Sequence, residues 1–205
     1  SNLCSLRSIQ GNYAGSIAFG LQSIEVAARC TSQPRLFASY TNLAEAYMLS
    51  GEMAKGVDCI ESARRLVGRE RSWSARVSFL ADTANLALLG GNVAHALELI
   101  GEMERITWAR ERAVPDLGLV ERLRIFKMGY TRDAASACVM AEQAKEKFRN
   151  RNVIFYIDAL SAHAWAEMRA RATLSRETEV ELEMLDMPEL AGKKATLFGQ
   201  GFLPR

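Results

Sequence analysis

Apolar and polar positions along this chain follow a pattern that returns about every 40 residues, a period typical of helical repeat proteins. Residues 40 to 63 carry an aromatic residue, a Leu-Ala pair, a second aromatic residue, a turn glycine and a closing Ala at helical spacings. A related order returns over residues 80 to 103, with Leu80, Thr83-Ala84, Ala87 and Met103 at the corresponding positions and Gly91 in place of the turn glycine Gly51. A fixed period of this length predicts an all-α solenoid, in which each helix pair buries its apolar face only against its neighbours.

The best-marked repeat divides into two predicted helices around Gly51. Hydroxyls of Thr31 and Ser32 are expected to cap the first helix, and Pro34 suits its first turn. The first helix places these residues on one face: Phe37, Tyr40, Ala44 and Tyr47. The second helix carries this apolar stripe: Met53, Val57, Ile60, Ala63 and Val67. The pattern predicts an antiparallel helix–turn–helix unit.

Further helix pairs are predicted on both sides of this unit. Gly11 precedes Gly51 by one full period, and Gly129, which follows Gly91 by slightly less than one period, is expected to mark a turn. We predict one repeat domain over residues 1–190, followed by a tail at 191–205. Its divisions are a partial repeat at 3–33, repeats at about 34–71, 72–112 and 113–150, and a degenerate pair at 151–190.

The segment from 177 to 184 alternates strictly between polar and apolar residues, which by itself favours a strand. Glu and Leu are strong helix formers, and a helical stripe also fits Val180, Met184 and Met187. We therefore interpret this segment as helical.

Charge and cysteine content narrow the function classes. The 205 residues include 26 Lys or Arg and 24 Asp or Glu, so no strong overall field favours nucleic acid or an anionic membrane. The longest apolar runs fall short of the roughly 20 residues that span a bilayer. The spacing of four cysteines resembles neither a zinc site nor a secreted disulfide framework, which predicts free thiols and a cytoplasmic setting. The opening Ser1-Asn2 indicates a remnant of tag removal and a fragment of a longer protein.

Residues 40 to 63 resemble a tetratricopeptide repeat (TPR), and the resemblance extends more weakly from Gly11 to Ala141. Small residues at Ala44, Gly56 and Ala63 are expected to let antiparallel helices approach closely. The resemblance implies a right-handed α-solenoid superhelix that binds proteins and has no catalytic role. The length of the period is also similar to that of the regulatory arrays of MalT-like and Rap-like bacterial proteins.

In TPR proteins the first helix of each pair lines a concave groove, and polar residues around the Leu-Ala pair hold a peptide. Carried over to this sequence, the resemblance selects Asn42, Glu45, Asp82 and Asn85. Asn side chains both donate and accept hydrogen bonds, which suits a peptide main chain; the alternative is a solvated surface. Arg122, with Arg124 and Lys127, is a candidate receptor for an acidic group, or a solvated face.

Other candidate features favour structural interpretations. Met48, Leu49, Leu88 and Leu89 either line the groove or, as we favour, pack in the core. His95 with Glu98, and His163 with Glu167, have helical spacings but match no metal or protease motif. Two basic clusters, at residues 64–71 and 145–151, are diluted by Glu and are explained by helix C-termini.

The sequence therefore predicts a non-catalytic TPR-like scaffold, a regulatory module of a larger bacterial protein, with no cofactor or metal. Its expected partner is a protein or peptide segment bound in the concave groove. The main alternative is an effector-sensing, MalT-like array that binds a small ligand. Direct nucleic-acid binding and a helical-bundle enzyme are weaker hypotheses.

Overall fold

The computed structural model describes residues 2–67, 73–108 and 117–183, and this part of the chain is helical except for short turns. Its ten helices follow in chain order. They are α1 (Asn2–Ile9), α2 (Tyr13–Arg29), α3 (Gln33–Leu49), α4 (Met53–Val67), α5 (Trp73–Leu89), α6 (Val93–Trp108), α7 (Leu117–Thr131), α8 (Ala134–Phe148), α9 (Val153–Arg171) and α10 (Arg176–Glu183). The helices pack as antiparallel pairs in a solenoid, as the sequence predicted. The division into repeats at the boundaries given above stays a prediction.

Three turn glycines reproduce the sequence period in the backbone. Gly11, Gly51 and Gly91 have φ values of 75°, 87° and 77°, a region that side chains with a Cβ rarely adopt. At each turn, two backbone N–H groups just past the helix donate to carbonyls of its last turn. At the end of α3, the Gly51 N–H donates to Met48 O and the Glu52 N–H donates to Tyr47 O. These bonds satisfy carbonyls that the helix end leaves without partners. The glycines therefore end α1, α3 and α5 in the same way.

The first helices of successive pairs form one continuous row. Helix α3 contacts α5, α5 contacts α7 and α7 contacts α9, while each also packs against the second helix of its own pair. We call α3, α5, α7 and α9 the inner row. Small residues keep the helices close: a Cβ added at Gly56 would lie 2.6 Å from Met48 Cγ, and Ala44 and Ala63 are fully buried. Because the backbones approach closely at these positions, the buried core extends along the solenoid.

The fourth pair corrects one sequence prediction. Gly129 does not mark a turn, because it lies inside α7, and the turn falls at Arg132 and Asp133. Asp133 caps α8 by accepting from the Ser136 N–H. Gly129 instead makes room for a ring of α9, since a Cβ there would lie 2.6 Å from Trp165 Cζ3. A glycine required for packing therefore resembled a turn glycine in the sequence.

Other local predictions also need correction. Ser32 occupies the N-cap position of α3, but its side chain makes no capping hydrogen bond, and Pro34 alone fits the expected role. Val57 is exposed on α4, because Gly56, Cys59, Ile60 and Ala63 form the buried face.

The segment from 177 to 183 is helical, as interpreted, but its buried face differs from the predicted stripe. Val180 is exposed, and Thr178, Glu181 and Leu182 are buried. Met184 and Met187 lie outside the described residues, as do the side chain of Val67 and the whole tail at 191–205.

All four cysteines are free, as predicted. Three contribute to the helical packing to different degrees, but Cys30 is exposed at the end of α2. Burial raises the pKa of the Cys59 thiol to about 11, so this thiol stays protonated near neutral pH.

We predict opposite effects for alanine at two helical glycines. Gly129→Ala should destabilise the protein by about 1–3 kcal/mol, because the new methyl group meets the Trp165 ring. Gly101→Ala is the matched control. Its Cβ would come no closer than 3.9 Å to Lys127 Nζ, so it should stabilise α6 by about 0.5–1 kcal/mol. Urea unfolding of both variants measures the difference, and equal effects would contradict this account of α7 and α9.

Candidate functional site

A cleft of about 520 Å³ opens between α3 and α5 on the inner row. Helix α4 contributes Leu66 and α7 contributes Leu119, while every other lining residue belongs to α3 or α5. The lining from α3 is Gln33, Pro34, Phe37, Ala38, Thr41 and Asn42, and that from α5 is Ser74, Ala75, Ser78, Ala81 and Asp82. The cleft therefore lies between first helices, as expected for a repeat groove.

The cleft combines apolar walls with amide, hydroxyl and carboxylate groups. Phe37 and Leu119 supply apolar surface, and Asn42 and Asp82 face the same space from neighbouring helices. An amide and a carboxylate together offer one donor group and several acceptors for a bound main chain or polar ligand. The structure thus brings together two of the residues that the sequence selected.

Glu45 does not line this cleft. It lies one turn further along α3, and its charge acts on the Cys4 thiol of α1, where it helps to raise the pKa of that thiol. Burial is the larger cause of the same shift. Glu45 therefore has different neighbours from Asn42, although the two residues lie close together on α3.

Asn85 and Arg122 meet each other next to the cleft. Arg122 Nη2 donates to Asn85 Oδ1 at 2.6 Å, and its Nη1 donates to Asp158 Oδ1 at 3.0 Å. These bonds join α5, α7 and α9 across the inner row. The side chains of Arg122 and Asp158 are only 12% and 8% exposed, so the pair is largely desolvated. Arg122 is therefore held within the fold, with its charge balanced by Asp158.

The other two cations predicted to accompany Arg122 point toward α6 instead. Arg124 Nη2 donates to Thr107 Oγ1 at 3.1 Å, and Lys127 forms an ion pair with Glu104. The three cations do not form one receptor for an acidic ligand, since they face different neighbours.

Three of the four apolar candidates for the groove, Met48, Leu88 and Leu89, pack in the core, as favoured, and Leu49 is partly buried at the end of α3. Met48 and Leu89 pack in one cluster with Leu43 and Ile60, and Leu88 packs against the cluster around Val77 and Leu80. None of these side chains belongs to the lining of the cleft.

A second polar cluster, which the sequence did not reveal, lies at the C-terminal end between α8, α9 and α10. Lys145 is fully buried, and its Nζ lies 2.6 Å from Glu181 Oε2 and 3.0 Å from Glu142 Oε2. Arg149 Nη2 donates to the other oxygen of Glu181 at 3.0 Å. Although burial favours the neutral amine, these partners raise the pKa of Lys145 above 10.5. The cluster is a buried ion pair that ties α10 to α8.

His163 joins this cluster from α9. Its Nδ1 lies 3.4 Å from Lys145 Nζ and 3.3 Å from Thr178 Oγ1, and its Nε2 lies 3.5 Å from Glu142. Burial first, and then the charge of Lys145, lowers the pKa of His163 below 6.5. Glu167, its predicted partner, instead accepts a hydrogen bond from the Ser175 N–H at 3.0 Å.

The helical spacing within α8 contained a signal for this cluster. Lys145 follows Ala137 and Ala141 at intervals of four, which places it on the buried face of α8. Lys145 lies in the last turn of α8, as the C-terminal basic cluster predicted, but its complete burial and its pairing with Glu181 were not predicted.

Within the described ranges, no group of His, Cys, Asp and Glu is arranged to hold a metal ion. In the same ranges, no helix is long and apolar enough to cross a membrane. His95 Nδ1 lies 3.6 Å from Glu98 Oε2, and both side chains are exposed on α6 outside the cleft.

Two solved structures resemble this fold over nearly its whole length. Both are crystal structures of a Podosopora anserina protein described as a putative kinesin light chain with nearly identical TPR-like repeats. A point variant matches at 17% identity and a TM-score of 0.56, covering 95% of this chain and 92% of that chain. The other structure matches at 17% identity and a TM-score of 0.55, covering 97% of this chain and 95% of that chain. No protein-family model matches the sequence, and no curated protein matches it.

The chain therefore has the fold of a TPR-like repeat solenoid. The sequence resemblance to the TPR pattern is confirmed at the level of fold.

We predict that Arg122 supports the fold. Arg122→Leu leaves Asp158 buried without its cation and should cost about 3 kcal/mol of unfolding free energy. Arg65→Leu, at an exposed position of α4, should change it by less than about 0.5 kcal/mol. In a double-mutant cycle, Asp158→Leu should recover part of the loss; simple additivity would show that the pair is not coupled.

We also predict that acid weakens the C-terminal cluster. Because the pKa of His163 is lower in the folded chain than 6.5, the unfolded chain binds its proton more tightly, and stability falls as pH drops through 6.5. Burial alone would raise the pKa of Glu181, but Lys145 holds it below 4.5, so a further loss follows below pH 4.5.

The chain contains two histidines, which makes the test specific. His163→Gln should flatten the fall in unfolding free energy between pH 7 and 5, whereas His95→Gln on the exposed face of α6 should preserve it. A slope of up to about 1.4 kcal/mol per pH unit is the limit for one group. An unchanged slope in His163→Gln would refute the assignment.

Proposed function

We propose that this chain is a non-catalytic scaffold that binds an extended segment of a partner protein in the cleft between α3 and α5. The observation that carries the proposal is the meeting of Asn42 and Asp82 in that cleft, beside the apolar surfaces of Phe37 and Leu119. The contact surface does not include Glu45, Asn85 or Arg122, because none of them belongs to the lining of the cleft.

The chemistry of the cleft suits a peptide main chain. The Asn42 amide can donate to a carbonyl and accept from an N–H, and Thr41 and Ser78 add hydroxyls within the same lining. Apolar walls favour a small or medium apolar side chain on the ligand. Because both first helices are packed in the inner row, the polar groups are held in place before binding, which lowers the entropic cost.

The wider setting remains a prediction from the sequence. The long repeat period supports a regulatory module of the MalT-like or Rap-like type in a larger bacterial protein, and the free cysteines support a cytoplasmic setting. In such a module the solenoid binds and another part of the protein provides the output.

A small effector is the second candidate ligand. A volume of about 520 Å³ falls within the roughly 300–1,000 Å³ typical of small-molecule sites, and the lining mixes apolar surface with a few polar groups. A bound effector would raise the melting temperature increasingly with its concentration, according to mass action.

Selection from a random displayed-peptide library tests the leading proposal. Peptides enriched on the wild-type protein should bind Ala38→Trp at least about tenfold more weakly, because the indole fills the cleft. Asn42→Ala should also weaken them. Ala54→Trp, at an exposed position of α4, is the matched control and should bind as the wild type does.

The outcomes separate the two candidates. Equal binding by Ala38→Trp and wild type would show that peptides use another surface. No enrichment, together with a melting temperature raised by a small molecule in wild type but not in Ala38→Trp, would replace the peptide with an effector.

A further inference from the structure

Helix α10 is attached to the solenoid in an unusual way. Its described part, Arg176–Glu183, has eight residues, and a segment of this length gains its stability mainly from packing. Its buried residues are Thr178, Glu181 and Leu182, and its principal helix contact is with α9. The position of α10 therefore depends on a docking seat formed by the other helices.

We define the α10 seat as Lys145, His163, Ile157, Leu160 and Ala164. The last three form an apolar cluster with Leu182, while Lys145 binds Glu181 and His163 approaches Thr178. The seat thus recognises three side chains of one helix: a hydroxyl, a carboxylate one turn later and an adjacent leucine. The apolar part of the seat packs against Leu182, and its polar part contacts Thr178 and Glu181.

An empty seat would be strongly unfavourable. Lys145 is fully buried, and two of its carboxylate partners are Glu142, which is partly exposed, and Glu181. Undocking of α10 would break the Lys145–Glu181 ion pair and would expose the apolar strip to water. The seat should therefore be filled by α10 whenever α10 is available, from its own chain or from another.

The link between α9 and α10 contains a strained residue. Ala172 has φ of 58°, a left-handed conformation that a residue with a Cβ adopts at an energetic cost. This conformation ends α9 and lets residues 173–175 lead α10 onto its seat. If Ala172 became helical, α9 would run on and carry α10 away from its own seat.

We infer that α10 exchanges between two copies of this chain, so that each copy fills the seat of the other in a closed dimer. The seat fits the sequence of α10, strain at Ala172 is relieved in the exchanged form, and the contacts of Thr178, Glu181 and Leu182 with the seat are kept. The interface is two-fold symmetric because each copy gives and receives the same helix.

Two hinge variants test the exchange in the full-length chain. Ala172→Val makes the left-handed conformation more costly and should raise the dimer fraction several-fold, measured by light scattering after refolding at increasing concentration. Ala172→Gly removes the strain and should lower that fraction. Ala170→Val, on the exposed side of α9, is the control and should match the wild type. A monomer under all conditions, with no response to Ala172→Val, would overturn the inference.

Second-site variants show whether α10 makes the dimer. In the Ala172→Val background, Leu182→Asp should abolish the dimer, and Val180→Asp, at an exposed position of the same helix, should preserve it. A dimer that survives Leu182→Asp would use another surface, which overturns the inference.

Charge reversal gives an independent test. Lys145→Glu and Glu181→Lys should each weaken the α10 seat, but their mixture should form a heterodimer in which one seat pairs Lys with Glu as in the wild type and the other pairs them in reverse. If either variant fails to fold alone, co-refolding of the two still reports on exchange. Recovery of no heterodimer from the folded or co-refolded mixture would overturn the inference.

Discussion

Close packing between neighbouring helices is the constraint on which this structure depends, because each pair in a solenoid can bury its apolar face only against the adjacent pairs. The approach is set by positions where any larger side chain would collide. Gly56 accommodates Met48, and Gly129 accommodates Trp165. The first contact sets the spacing of α3 and α4 within one pair, and the second sets the spacing of α7 and α9 in the inner row.

Polar groups in this protein serve two physical roles that depend on their depth. In the cleft, Asn42 and Asp82 border open space. Deeper in the inner row, Arg122 is bound on two sides by Asn85 and Asp158, so its hydrogen bonds hold helices together. The same residue types therefore line a cleft at one level and join helices at another.

The repeating turns and the C-terminal end of the described chain are stabilised by different interactions. The repeating turns at Gly11, Gly51 and Gly91 extend the array by identical steps, whereas the C-terminal end of the described chain closes with a short helix held by a buried ion pair. A buried lysine requires its carboxylate, so the closing helix is specified by charge as well as by apolar contact.

Sequence periodicity predicted the helix pairs and the turn glycines Gly11, Gly51 and Gly91, and the TPR resemblance selected Asn42 and Asp82. These features follow from local geometry, since helical spacing and left-handed glycine turns depend on a few consecutive residues. Asn42 and Asp82 share one repeat position, and Glu45 and Asn85 share another three residues later. Only contacts with other helices show that the first position lines the cleft and the second does not.

The partners of side chains were decided by the tertiary structure. Gly129 had the spacing of a turn glycine, and only the ring of Trp165 on another helix shows why a glycine stands there. Lys145 lay in a basic run of the sequence, yet Glu181, far along the chain on α10, holds it inside the core. By itself the sequence determined the architecture, because that depends on local periodicity. The tertiary structure decided which polar groups face the cleft, because that depends on contacts between residues far apart in the chain.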